Sequence, residues 1–119
     1  MSSVKFSFED LKLYQKALTF IDDVYDVTEK FPKNEEYRLT SQFIRAVQSI
    51  AFNVAEGSGD TNAQFTRFLR ISRGSLKECV VCITIAYRRN YIDENLNLKL
   101  REQAEELSKM INGLIKYLK

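Results

Sequence analysis

At 119 residues, 45% of them hydrophobic and with only four Gly and one Pro, the chain has room for one ordered domain spanning 1–119 and no second core. Its 18 basic and 16 acidic residues leave a formal charge of only +2, so strong general attraction to polyanions is not built into the composition. Histidine is absent, which removes the commonest general base, the usual metal ligand, the Ser-His and Cys-His nucleophile pairs and the Glu-x-x-His motif of di-iron bundles, so neither an enzyme nor a cofactor or metal is expected.

A first helix is predicted over about 8–30. Ser7 and Asp10 stand three apart as an approximate capping box, Phe6 and Leu11 are placed for a hydrophobic staple, and Phe31-Pro32 ends the run. Two apolar stripes run along it. One is Leu11, Tyr14, Leu18, Ile21, Tyr25 and Thr28; the other is Leu13, Ala17, Phe20, Val24, Val27 and Phe31. Together they cover about half the circumference, where one core needs little more than about 100°. The surplus predicts a subunit interface, assigned to Leu13, Phe20, Val24 and Val27 and joined by Phe52 of the next helix, which departs from the core arc.

A second helix is predicted over 35–56, with Asn34 as its cap and Glu35 and Glu36 near its positive end; Gly57-Ser58-Gly59 closes it. Thr61 and Gln64 open a third helix over 62–89, broken at Asn90-Tyr91. Asp93 caps a fourth, 94–118, in which Leu100, Ala104, Leu107, Ile111, Leu114 and Leu118 recur at spacings of four and three. No segment alternates as a strand does, and the connections are short. The expected fold class is therefore all-α, an up-down-up-down antiparallel four-helix bundle.

The second helix carries the most specific pattern. Leu39, Phe43, Ala46, Val47, Ile50 and Val54 share one face, while Arg38, Gln42, Arg45, Ser49, Asn53 and Glu56 fall within a sector of about 80°. A narrow polar column of this kind reads either as a ligand or RNA pocket or as a hydrogen-bonded network that fixes register or a subunit contact; the network is preferred. Glu56 opposes the helix dipole in the last turn and so calls for a cationic partner, for which Arg45, from another subunit or another helix turn, is the candidate.

Gln42, Arg45, Ser49-Ile50 and Asn53 to Gly57 match the Gln-x-x-Arg, Ser-Ile and Asn-(Ile/Val)-Ala-Glu-Gly pieces of a known motif. In these the chain resembles the bacterial four-helix bundle family called the S23 or 23S rRNA intervening-sequence proteins. The resemblance extends over nearly the whole chain, from Phe8-Glu9-Asp10-Leu11 through the last helix. It implies the same bundle, a ring-shaped homo-oligomer that is a pentamer in members of known structure, and an association with rRNA intervening sequences. Related bundles are accessory factors to reverse transcriptases of diversity-generating retroelements, binding both polymerase and nucleic acid.

Charge is concentrated in the third helix. Over 62–89 it carries six basic residues, Arg67, Arg70, Arg73, Lys77, Arg88 and Arg89, against Glu78 alone. That segment is +5 in a chain of +2. Arg70, Arg73, Lys77 and Arg88 lie within about 60° of one another, on a ridge about 27 Å long by helical rise. The ridge is a candidate phosphate-contacting surface, multiplied in an oligomer; the competing reading is a solvated face paired with Asp22, Asp23, Asp26 and Glu29 of the first helix. Nothing resembles a base-reading motif, so weak sequence preference is expected. Cys79-Val80-Val81-Cys82 lies mid-helix, where small buried hydrophobes are expected and a redox pair is not.

No apolar run approaches the length of a membrane span, and Met1–Phe8 lacks a leader's apolar region, so a cytoplasmic protein is expected. The expected function is a non-enzymatic oligomeric adaptor that contacts RNA or DNA through the third helix. The alternative is a protein scaffold with no nucleic-acid role.

Overall fold

Four helices follow one another as α1 (Lys12–Thr28), α2 (Leu39–Gly57), α3 (Asn62–Arg88) and α4 (Glu94–Tyr117). The computed structural model describes residues 4–119; residues 1–3, part of the span 1–119 and of the Met1–Phe8 segment considered above, lie outside the described residues. Each helix packs on the next, α4 closes back on α1, and the diagonal pairs come no closer than through core side chains. This cyclic order with short connections is the up-down-up-down antiparallel bundle that the periodicity calls for.

The helix ends show where local chemistry prevailed and where it yielded. Thr61 and Asp93 cap α3 and α4 as expected, their side-chain oxygens accepting from Gln64 N–H at 3.2 Å and Leu96 N–H at 2.8 Å. α3 ends in a Schellman turn: Asn90 adopts φ +63°, Asn90 N–H bonds the Tyr87 carbonyl and Tyr91 N–H bonds the Ala86 carbonyl. The start of the first helix is displaced. Ser7–Asp10 forms a 3-10 turn before α1, and the reciprocal carboxylate belongs to Glu9, which accepts from Phe6 N–H at 2.8 Å.

The second helix also begins later than 35. Lys33–Glu35 is a 3-10 turn, and α2 starts at Leu39 without a side-chain cap on Arg38. The Glu35 side chain has tertiary work instead. One oxygen accepts from Tyr91 OH at 2.7 Å and the other from Leu39 N–H at 3.4 Å, so Glu35 joins the α1–α2 connection to the α3–α4 connection. The Phe31 and Tyr91 rings meet beside it with centroids 5.4 Å apart. The Tyr91 hydrogen bond holds the Glu35 carboxyl below its ordinary value, helped by Leu39 N–H and the charges of Arg38 and Arg89. The same bond raises the Tyr91 phenol.

Leu13, Ala17, Phe20, Val24 and Val27 of α1 meet Phe43, Val47, Ile50 and Val54 of α2, Leu69, Leu76, Cys79 and Ile83 of α3, and Leu100, Leu107 and Ile111 of α4 in one core. This corrects the interface assignment. Leu13, Phe20, Val24 and Val27 are covered by their own chain, Phe20 and Val24 completely, and cannot meet a partner. α1 is rotated so that its other stripe forms the outer edge: Leu18 and Tyr25 are exposed, with Tyr14 and Ile21 half-buried. Gln48 donates to Tyr25 OH at 2.7 Å across the α1/α2 seam, which brings Phe52, 67% exposed, to the same side as Leu18 and Tyr25.

Candidate nucleic-acid interface

Helix α3 touches α2 along one flank and α4 along the other, and the two flanks are built differently. Toward α2 the contact is made by small residues. Ser72 is buried and its hydroxyl donates to the Ile50 carbonyl at 2.9 Å; Ser75 Oγ donates to Ser49 Oγ at 2.8 Å. Asn53 completes the set, its amide donating to the Ser49 carbonyl at 2.8 Å and the Ser49 hydroxyl at 3.0 Å. At the end of the seam Gly57 allows contact that no side chain would: a Cβ there would lie 2.9 Å from both Phe65 Cδ1 and Phe68 Cβ.

The polar column of α2 is therefore divided. Gln42, Ser49 and Asn53 turn toward α3, Gln42 donating to the Glu78 carboxylate at 3.3 Å. Arg38, Arg45 and Glu56 lie some 20–80° further round and are exposed. Among the described residues Arg45 and Glu56 have no hydrogen bond or ion pair, so the cationic partner expected for Glu56 is not supplied within the chain. An 80° sector straddles the rim of a helix contact, and periodicity alone does not say where the rim falls.

The basic ridge is brought together in part. Arg67, Arg70, Lys77 and Arg88 are exposed along the outer side of α3, interleaved with the exposed apolar residues Ile71, Val81 and Ile85. Arg67 also lies over the Phe68 ring, 5.6 Å from its centroid. Arg73 is half-buried and turns to α4, where its guanidinium donates to Asn112 Oδ1 at 2.8 Å. Arg89 belongs to the connection end, where its charge acts on Glu35. The acids proposed as neutralising partners are out of reach, because α1 and α3 stand diagonally across the bundle and share no close backbone approach. Asp23 is instead engaged by Gln103 at 2.7 Å and Lys99 at 3.7 Å on α4. Among the described residues, none of the six cations has a carboxylate within 4.0 Å.

The α4 flank contains residues that the sequence reading missed. Arg101 donates from Nε to Asn97 Oδ1 at 3.2 Å and from Nη2 to Thr84 Oγ1 at 2.5 Å. Between this bridge and the Arg73–Asn112 bridge lies an open cleft of about 560 Å³, lined by Lys77, Ser108 and Glu105 over a floor of Leu76, Val80 and Ala104. The available signal was spacing: Arg73, Lys77, Val80 and Thr84 on α3, and Arg101, Glu105, Ser108 and Asn112 on α4, both recur at four, three and four.

Cys79 and Cys82 are buried. Burial pushes the Cys79 thiol far up and the Cys82 thiol up to about 11, so both are held as thiols and serve as packing. Among the described residues no cluster of potential ligands could hold a metal ion, and no helix is long and apolar enough to cross a membrane.

Comparison with known proteins agrees with this architecture. The chain is similar to a crystal structure of a protein of unknown function from the S23 ribosomal protein family of Bacteroides thetaiotaomicron, with a TM-score of 0.80 and 21% identity over 87% of this chain and 98% of that one. At that identity the likeness speaks for the fold. No curated protein matches. The model of the 23S rRNA-intervening sequence proteins matches residues 9–113, which takes in all of α1, α2 and α3 and most of α4. The chain belongs to the 23S rRNA-intervening sequence protein family.

Proposed function

We infer that the protein is a non-enzymatic, homo-oligomeric adaptor of the cytoplasm that contacts RNA or DNA through α3 with little sequence preference. One observation carries the reading: among the described residues, a helix segment of net +5 has no carboxylate within ion-pair distance of any of its six cations. Folding has left this charge facing solvent and the α4 cleft, where phosphate oxygens are its natural complement. Repetition around a ring, the pentamer that the family resemblance implies, multiplies a modest patch into a band. A reverse transcriptase or another protein partner would then be brought to the bound nucleic acid.

The test is a titration of labelled structured RNA and duplex DNA at low and moderate salt, beside a variant with Arg67, Arg70 and Arg88 changed to Gln. Binding that falls with salt, and whose log–log slope on duplex is reduced by about 3 in the variant, supports the reading. Absence of binding at low salt sinks it.

The alternative scaffold role is favoured by a different observation, the apolar edge of Leu18, Tyr25 and Phe52. This edge is also where subunits would meet, in place of the buried α1 stripe. A Phe52→Asp variant should keep its helicity and elute later from a sizing column; unchanged elution would place the subunit contact elsewhere.

A further inference from the structure

We propose that the cleft between α3 and α4 binds the phosphate groups of a nucleotide ligand, and that Arg101 and Lys77, with Arg73, are the residues that hold them. The proposal rests on the phosphate-contact reading of α3 but moves its centre from the outer ridge to a built groove. Arg73 and Arg101 mark its two ends, and each is fixed by neutral partners only: Asn112 for Arg73, Asn97 and Thr84 for Arg101. Hydrogen bonds to an amide or hydroxyl oxygen orient a guanidinium without neutralising it, so both keep full charge and spare N–H donors. Both are half-buried, which costs their hydration, and among the described residues no carboxylate within 4.0 Å compensates them. Orientation, partial desolvation and the lack of a directly paired carboxylate together describe a site prepared for an anion.

The shape narrows the choice. The cleft measures about 560 Å³, and Arg73 stands about 16 Å by helical rise from Thr84, the residue that Arg101 reaches. Lys77 lines the wall between them, so the cations are strung along a groove, as successive phosphates are along a strand. Leu76, Val80 and Ala104 form an apolar floor against which sugar can rest, and no ring is present to read a base. Contact through phosphate and sugar is indifferent to sequence. One acid, Glu105, lines the cleft, and Lys109 lies 3.8 Å from it. The phosphates have two possible sources, a single strand of RNA or DNA and a free nucleotide.

The test measures binding of a short labelled single-stranded RNA, of ATP and of an oligoglutamate peptide to the full chain at low salt. It compares the unaltered protein, Arg101→Gln, Lys77→Gln, Glu105→Gln and the Arg67/Arg70/Arg88 variant. The expected result is a loss of about tenfold or more for Arg101→Gln and Lys77→Gln, and tighter binding for Glu105→Gln. Lys77 is exposed, so its variant reports on binding even where Arg101→Gln disturbs the seam. If the strand binds and only the Arg67/Arg70/Arg88 variant loses it, the groove is refuted while the nucleic-acid reading survives. If ATP binds in a Lys77-dependent way and the strand does not, the groove stands and the nucleic-acid reading falls. Failure of both phosphate probes, or tighter binding of the peptide, overturns the proposal.

Discussion

The two flanks of α3 solve the same packing problem in opposite ways. At the centre of the α2 side, polar groups are short, buried or half-buried, and bonded within the seam: Ser72 to Ile50, Ser75 to Ser49, Asn53 to Ser49. On the α4 side, long cations are steadied by neutral partners and left without counter-charge. Mutual satisfaction is what a seam needs in order to be permanent, because an unpaired buried donor or acceptor costs more than a hydrogen bond returns. Charge held in place without a counter-ion adds little to folding and keeps its attraction for a ligand. One helix thus has a flank devoted to the fold and a flank available for function.

Substitutions should separate the flanks by size of effect. The largest loss is expected at Gly57→Val, where a Cβ would meet Phe65 and Phe68 at 2.9 Å; urea unfolding should show about 3 kcal/mol lost. A loss below about 1 kcal/mol would mean that the seam can relax and the comparison overstates its rigidity. Ser72→Ala removes the buried bond to Ile50 but gains helix propensity, for a net loss of about 0.5 to 1 kcal/mol. Across the helix, Arg73→Gln and Arg101→Gln should change the unfolding midpoint little, by about 0.5 kcal/mol or less, since each removes a cation with no ionic partner. A loss at Arg101 larger than that at Ser72 would erase the distinction between the flanks.

A smaller effect lies outside both flanks, at the Glu35–Tyr91 contact. Glu35 is depressed when folded, so its contribution is present above the unfolded carboxyl value and lost as pH falls through the folded one. Tyr91 is raised, so its contribution is present below the unfolded phenol value and lost as pH rises through the folded one. Urea midpoints against pH should therefore fall off less steeply at both extremes in Tyr91→Phe than in the unaltered chain. Parallel curves would show that the bond does not couple folding to protonation.

Much of this architecture was legible from residue order. Thr61 and Asp93 signal helix starts by local chemistry, and local chemistry prevailed there; Gly57, read as part of a C-cap, is instead the last residue of α2 and serves its packing against Phe65 and Phe68. At Asn34 to Glu36 the same signals misled, because Glu35 bonds Tyr91, 56 residues away, and the capping pattern gave way to that tertiary contact. The two stripes of α1 are almost equally apolar, so the choice of core stripe rests on how neighbouring helices rotate α1, which no periodicity within it records. The concentration of charge in α3 was visible, but its absence of partners was not, since that depends on α1 and α3 standing diagonally. Arg101 escaped notice because its significance comes from facing Thr84 across a seam.

The Glu35–Tyr91 contact also gives the bundle a direction of opening. It ties the α1–α2 and α3–α4 connections together at one end, where Asn90 closes α3 and two aromatic rings cover the junction. The opposite end holds the start of α1, the end of α4 and the exposed Gly59 turn, where among the described residues the side-chain hydrogen bond that crosses between α3 and α4 is a long one, from the Asn62 amide to the Leu118 carbonyl at 3.3 Å. Amide hydrogen exchange should accordingly advance as a front from the Gly59 end, with the protons of Tyr91 and its neighbours in α3 the last to leave.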